Sequence, residues 1–415
     1  MKAIRSMVLV SSDPQSIANG ANDVYQTLQQ EIAKFGLDQE ISLTVVGDVG
    51  RHDASPLVIV YPEATIYGPV KKENVAYLVE EHLYKGRVAA DLQAPVRELS
   101  GKIAWLSARK GTLPAEQRIV LERAGIIDPD SIDDYIIHDG YQALAKAVTE
   151  MTPEDIFSTL EKSGLRGRGG AGFPTGTKWR FVSKTNSAKK YVICNADESE
   201  PGTFKDRLIL EGDPHAIIEA MAIAAYAVGA DEGYFYIRGE YVLAQERVKT
   251  AIKQAKELGF LGKNIFGTDF NLELHVHSGA GAYICGEETA LIESIEGKRG
   301  EPRARPPYPT TNGLWGKPTL VNNVETMANV APILRNGAEW YRSFGPQTSP
   351  GTKVYTILGN VNVTGLNEVP MGITLREVIA IYGKGMKNGK PFKLAQTGGS
   401  SGSIVPAILQ DTPMD

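Results

Sequence analysis

The segment Gly164–Trp179, GLRGRGGAGFPTGTKW, puts Gly164, Gly167, Gly169, Gly170, Gly172 and Gly176 beside Arg166, Arg168 and Lys178. Glycines permit positive φ and close backbone approach, so successive N–H groups can cradle an anion while the cations add Coulombic attraction. The segment before it, Pro153–Lys162, has apolar residues at helical spacing and is expected to end at Gly164. A loop of this kind needs a scaffold that brings a phosphate or a flat cofactor to its backbone.

Two familiar motifs nearly fit and fail on context. Gly167-x-Gly169-x-x-Gly172 has the spacing of a dinucleotide fingerprint. That fingerprint follows a strand and opens a helix, whereas a helix is predicted before it here. A P-loop requires Gly-Lys-Ser/Thr, and the chain has Gly176-Thr177-Lys178. For the loop alone, a structural turn with solvated arginines remains an alternative.

Three later segments narrow the reading. Asn195–Thr203 (NADESEPGT) follows an apolar run ending at Cys194 and carries Asp197, Glu198 and Glu200. Their mutual repulsion gives a purely structural loop little benefit. Gly279–Thr289 (GAGAYICGEET) joins a glycine turn to Tyr283, Gly286, Glu287 and Glu288. Arg303–Pro309 brings Arg305 and Tyr308, followed by the paired amides Asn322 and Asn323 and by Thr326. Carboxylates and amides suit ribose hydroxyls and flavin edges, and an arginine beside an aromatic ring suits a stacked base.

Length and composition bound the rest. At 415 residues, more than one domain is expected. A net charge of −5 argues against a dedicated nucleic-acid binder. The longest apolar stretch, Ala216–Ala230, is interrupted by Glu219 and suits a buried helix better than a membrane span. With no secretory signal in MKAIRSMVLVSSD, a cytoplasmic location is expected, with peripheral attachment to a membrane complex left open. The two cysteines, Cys194 and Cys285, cannot supply a four-thiolate iron–sulfur cluster, and no metal site is expected.

Periodicity predicts a β-α-β-β-β-α unit in the first ninety residues. Its pieces are Arg5–Ser11, a helix over Pro14–Phe35, Ile41–Val46, Pro56–Tyr61, Thr65–Tyr67 and a helix near Lys72–Leu83. That order suits a small thioredoxin-like sandwich. Helical patches are predicted at Pro114–Ala124 and Gly140–Glu150. Strands are expected at Tyr191–Cys194, Gly233–Ile237 and Leu272–His277, with helices over Pro214–Val228 and Val242–Leu258. Beyond them Lys353–Leu358 reads as a strand, Asn367–Pro370 as a turn and Leu375–Tyr382 as a helix.

The four segments, in this order, resemble the NADH-binding FMN flavoprotein subunit of respiratory complex I. They resemble equally the related diaphorase subunits of NAD-linked hydrogenases and formate dehydrogenases. The likeness runs from about Asp128 to Gly402 and is most specific in GRGGAGFPTG and NADESEPGTFKDR. It implies an α/β chain of three parts: a thioredoxin-like N-terminal domain (1–90), an FMN- and NADH-binding domain (151–340) and a small β-grasp domain (350–405). Residues 91–150 would form a connector.

The resemblance further implies FMN contacts from Gly167, Arg168, Gly169, Gly170, Lys178, Asn195, Asp197, Glu198, Gly286, Glu287, Asn322 and Asn323. Phe173, Phe181, Glu200, Glu288, Arg305 and Tyr308 would contact NADH, with Tyr283 beside the flavin. Glu200, Tyr283 and Glu288 would stand nearest the chemistry. Arg305 replaces the usual lysine and Tyr308 the usual phenylalanine, which preserves charge and ring. In the N-terminal domain the four cluster cysteines would fall at Ser11, Ser16, Asp48 and His52, which cannot form a thiolate cage. The helical four-iron domain that ends the family's pattern is absent from this sequence, so a fragment is the favoured expectation. Electrons would leave for a cluster in that missing region or in iron–sulfur partner subunits.

The implied reaction is hydride transfer from NADH to FMN, with the protein supplying stacking, orientation and charge. Two other readings stay open from sequence. One is a non-catalytic assembly subunit; the other is a stand-alone NADH dehydrogenase with a soluble or quinone acceptor.

Overall fold

Each of four apolar runs in the middle of the chain is followed by a glycine-rich, acidic or amide-rich turn. Together they build one parallel sheet. The computed structural model describes residues 5–47, 54–63, 65–94 and 118–415. Numbered along the chain, the strands are β1 Ser6–Ser11, β2 Ile41–Val46, β3 Val58–Tyr61, β4 Thr65–Tyr67, β5 Tyr191–Ala196, β6 Glu232–Ile237, β7 Glu273–Ser278 and β8 Thr319–Asn323. β9 Thr352–Ile357, β10 Gly365–Pro370, β11 Leu394–Gln396 and β12 Ile404–Pro406 follow. The central sheet has the order β7-β6-β5-β8 and every pairing in it is parallel.

Strands buried on both faces read as continuous apolar runs. Tyr191–Cys194 is such a run and is buried throughout. The helix Pro214–Val228 packs on β5 and buries every residue except Tyr226. The interruption at Glu219 is accommodated because its carboxylate accepts from the Tyr135 hydroxyl and, at 2.9 Å, from Leu144 N–H. Burying a carboxylate without such donors would be costly. The stretch is a core helix, and among the described residues no helix is long and apolar enough to cross a membrane.

The N-terminal unit is a separate mixed sheet of order β2-β1-β3-β4, with β1 and β2 parallel and the other pairs antiparallel. Its expected first helix breaks at Gly20 (φ 96°) into Pro14–Ala18 and Ala21–Lys34. Its last helix runs through 3-10, α and π turns from Lys72 to Tyr84. Ser11 and Ser16, at two of the expected cluster positions, have their hydroxyl oxygens 2.8 Å apart, and Ser55 lies 2.7 Å from Ser16. A buried hydroxyl network therefore links these two positions. Asp48 and His52 lie outside the described residues, as do residues 95–117 of the expected connector.

Two expectations fail. Of the helix predicted over Pro114–Ala124, residues 119–124 form turns, where Val120 and Leu121 donate their N–H groups to the Glu368 carboxylate (3.0 and 2.9 Å), and residues 114–117 lie outside the described residues. Asn367–Pro370 is strand rather than turn: it pairs antiparallel with β9 and is buried from Gly365 to Val369. Pro370 ends the strand, where its missing N–H costs little. The predicted helix at Leu375–Tyr382 forms, as an α turn continued by a π segment.

Candidate functional site: a crevice at the carboxyl ends of the parallel strands

Because the four central strands are parallel, their carboxyl ends share one edge of the sheet. From β5 the chain steps outward to β6 and β7, then returns to place β8 on the other side of β5. The strand order reverses between β5 and β8. In open α/β sheets a crevice forms at the carboxyl edge of such a reversal. Asn195 at the end of β5 lies in register with Asn323 at the end of β8.

The glycine loop fills one wall. The helix Pro153–Ser163 begins with a Thr152–Asp155 capping box and stops at Gly164 (φ 71°). The next helix, Thr175–Lys184, starts directly after the loop. Gly167 N–H donates to Phe173 O at 2.9 Å and Arg168 N–H to Thr326 Oγ1 at 2.8 Å, closing the loop and tying it to the segment after β8. Gly170 holds φ 118° with open space where a Cβ would project.

Each acid of the 197–200 turn has its own partners, so the loop is structurally better satisfied than repulsion alone suggested. Glu198 accepts from the N–H groups of Asp206 and Arg207 (3.0 and 3.2 Å) and caps the helix Lys205–Gly212. Burial and the neighbouring Asp206 push it up to about 7. Asp197, also raised by burial, accepts from the Ser199 hydroxyl at 2.9 Å through one oxygen. Its other oxygen is buried with no hydrogen-bond partner. Glu200 is partly buried and accepts from the Tyr283 hydroxyl at 2.6 Å.

The turn after β7 reaches the same edge of the sheet. Asn195 Nδ2 donates to Gly286 O at 2.9 Å, joining the β5 and β7 loops. Glu287 caps the helix Glu288–Ile295 with one oxygen, and its other oxygen is buried without a hydrogen-bond partner. Lys178 Nζ bridges Glu288 and Val321 O at 2.8 Å each. Arg305 lies 3.5 Å from Glu288 and 3.6 Å from Glu287, with its guanidinium 6.0 Å from the centre of the Tyr308 ring. Phe173 and Phe181 stand 6.3 Å apart, and both are exposed, as are Tyr283 and Tyr308.

Some expected contact residues spend their side chains on the protein. Asn322 Oδ1 accepts from Trp179 Nε1 at 2.8 Å. Asn323 Nδ2 donates to Asp206 at 2.7 Å. Arg168 is buried and donates to Pro350 O and to the Tyr341 hydroxyl, so it anchors the loop and is not solvated. Sequence reasoning missed the charged cluster beneath the crevice. Lys205 pairs with Asp206 (2.7 Å) and Glu325 (3.0 Å), and Lys353 also pairs with Glu325. The Lys205–Asp206 pair sits inside NADESEPGTFKDR, but nothing local marks Lys353, which belongs to β9. Among the described residues no group of His, Cys, Asp and Glu forms a metal site.

The glycine loop, the acidic turn, the Gly-Glu-Glu turn and the paired asparagines thus meet at the carboxyl edge of a parallel sheet in a mixed α/β scaffold. Residues 160–332 match the family described as the Nuo51 FMN-binding domain. An NADH-quinone oxidoreductase F subunit of Rhizobium meliloti (strain 1021) is 50% identical over 297 residues, 72% of this chain and 70% of that protein. The NADP-reducing hydrogenase subunit HndC of Solidesulfovibrio fructosivorans is 56% identical over 72% of this chain and 60% of that protein. The solved NAD+-reducing [NiFe]-hydrogenase in its H2-reduced state superposes with a TM-score of 0.60 at 31% identity, covering 99% of this chain and 66% of that one. The chain belongs to the family of NADH-quinone oxidoreductase F subunits and hydrogenase diaphorase subunits. It spans 60% and 70% of the lengths of these two curated relatives.

Proposed function

We propose that the chain holds FMN in the crevice between β5 and β8 and oxidises NADH there, as the diaphorase subunit of a multi-subunit oxidoreductase. The observation that carries this reading is the glycine loop packed against the end of β8, together with two buried carboxylate oxygens, on Asp197 and Glu287, that have no hydrogen-bond partner, the one on Glu287 with the Arg305 guanidinium 3.6 Å away. A buried acceptor left unmade is costly, so a ligand bearing hydroxyl or N–H donors fits that wall. FMN has both, together with a phosphate for the Gly167–Gly170 backbone and Lys178. Bound there, FMN supplies acceptance of a hydride and release of electrons one at a time.

In this reading the chain's own groups bind and orient. Gly167, Gly169, Gly170 and Gly286 let backbone approach closely, while Asn195, Asp197 and Glu287 offer polar atoms. Arg168, Glu198, Asn322, Asn323 and Thr326 hold the walls by the bonds described above. Exposed Phe173, Phe181 and Tyr308 offer stacking faces to NADH, Arg305 a cation, and Glu200 and Glu288 acceptors for ribose or carboxamide groups. Tyr283 fixes Glu200.

The three-part layout is part of the proposal: a thioredoxin-like unit over 1–90, a connector over 91–150, the cofactor domain over 151–340 and a β-grasp module over 350–405. The relatives are named as subunits of larger assemblies. We assign the next electron carrier to an iron–sulfur cluster, in partner subunits or in a region outside this sequence, with the assembly in the cytoplasm and peripheral to any membrane.

Purified chain reconstituted with FMN should be yellow and reduce ferricyanide with NADH. Folded protein, verified by circular dichroism, that retains no flavin would overturn the proposal in favour of a non-catalytic assembly subunit.

A further inference from the structure

The loop that joins β11 to β12 reaches the candidate nucleotide site from a module 200 residues away. Both the backbone N–H and the hydroxyl of Ser400 donate to Glu200 Oε1, the hydroxyl at 2.7 Å. The Tyr283 hydroxyl donates to the other oxygen. These donors, from two directions, fix the plane of this carboxylate.

The loop is built to deliver those donors. Gln396 pairs with Ile404 across the strands, and Thr397 N–H closes the turn on Ser403 O at 3.0 Å. Gln396 Nε2 holds Ser400 O at 3.1 Å. Gly399 has φ 76°, and a Cβ there would overlap the Glu200 side chain, so glycine is what allows Ser400 to approach. A second contact fastens the acidic turn to the same half of the chain: a Cβ on Gly202 would lie 2.7 Å from Leu358 Cδ1.

We infer that Ser400 is a specificity-determining positioning residue, which orients Glu200 so that the site discriminates against a nucleotide carrying an additional ribose phosphate. The inference rests on the reading of Glu200 as a nucleotide-facing acid. A carboxylate repels a phosphate most effectively, and accepts from ribose hydroxyls best, when its position is held. The carboxylate belongs to the turn after β5 and its orientation to the C-terminal module, so nucleotide choice depends on how the two are docked.

The test is calorimetric titration of the full-length FMN-loaded chain with NAD+ and NADP+, without turnover, for wild type, Ser400→Ala, Ser400→Thr and Glu200→Gln. Ser400→Ala keeps the backbone donor and loses the hydroxyl. The ratio of the NADP+ to the NAD+ dissociation constant should fall about three- to tenfold, at the low end for one charge-assisted hydrogen bond. Ser400→Thr should restore it to within about twofold, which a general loss of loop structure would not predict. If Glu200→Gln lowers the ratio and Ser400→Ala does not, the positioning role is overturned while the reading of Glu200 stands. If Glu200→Gln itself leaves the ratio at the wild-type value, the reading of Glu200 fails, and this inference with it. Equal tightening of both nucleotides in Ser400→Ala would also overturn it, since the loop would then be competing with nucleotide rather than selecting it.

Discussion

A Cβ added to Gly169 would lie 2.9 Å from the Cβ of Asn323, so the glycine loop and the end of β8 touch backbone to side chain with no room for a methyl group. This contact sets how closely the glycine loop approaches the end of β8. Gly169→Ala should push the loop outward at an overpacking cost of about 1–3 kcal/mol. We expect flavin retention after desalting to drop at least about tenfold while the far-ultraviolet spectrum is kept. Absorbance of the bound flavin per protein measures it.

Glu200 carries the predicted nucleotide preference. Glu200→Gln removes the negative charge but keeps the shape and the acceptor oxygen. Discrimination against NADPH should relax, read as relative kcat/KM for NADH and NADPH with ferricyanide as acceptor. Unchanged relative values would count against the assigned role.

Glu325 is the anion between two cations, the buried Lys205 and the half-buried Lys353, and it also accepts Val354 N–H at 2.9 Å. Burial alone would raise its pKa; the two lysines outweigh burial and hold it down at about 2. Glu325→Gln leaves both cations without their shared partner, which for a buried pair costs about 3–5 kcal/mol. Chemical denaturation should show a loss of that size, and it should loosen β9 from the cofactor domain.

Glu368 shows the opposite behaviour. Burial pushes it up to about 7, although Thr352 and the N–H groups of Val120 and Leu121 pull it down. A carboxyl raised on folding holds its proton more tightly in the native state, so stability falls as pH rises from about 4.5 to about 7. Glu198, also near 7, adds in the same direction. Glu325 acts with the other sign, losing its contribution as pH falls from about 4.5 toward 2. Burial lowers His215 to about 4, and that group contributes with the opposite sign over part of the same window, so the test is the variant against wild type. Glu368→Gln should make the slope of melting temperature against pH between about 5 and 7 more positive than in wild type, and an unchanged slope would remove Glu368 as a contributor.

Much of the architecture was legible because its signals are local. The helix Pro214–Val228 and the runs that became β5 and β6 needed only apolar patterning and flanking turns. The helical spacing of Pro153–Lys162 and the stop at Gly164, left-handed in the structure, marked where the loop begins, and thereby excluded a strand-first dinucleotide fingerprint. The failures are equally physical. Asn367–Pro370 reads as a turn by composition, yet Glu368 is buried because the backbone of residues 120 and 121 supplies its donors. The same contact accounts for the turns at residues 119–124, where a helix was predicted.

By itself, the sequence determined the family, through the glycine loop, the acidic turn, the Gly-Glu-Glu turn and the paired asparagines. These segments carry their chemistry in adjacent residues, so spacing alone displays it. Only the tertiary structure decided which side chains face the crevice and which are consumed in building it. Parallel pairing set Asn195 beside Asn323, burial turned Arg168 toward Tyr341, and Glu198 became a helix cap. It also brought Ser400 to Glu200, a partnership between residues 200 apart that no local pattern encodes. Side-chain direction and long-range donors follow from packing, and packing is settled only when the whole chain is folded.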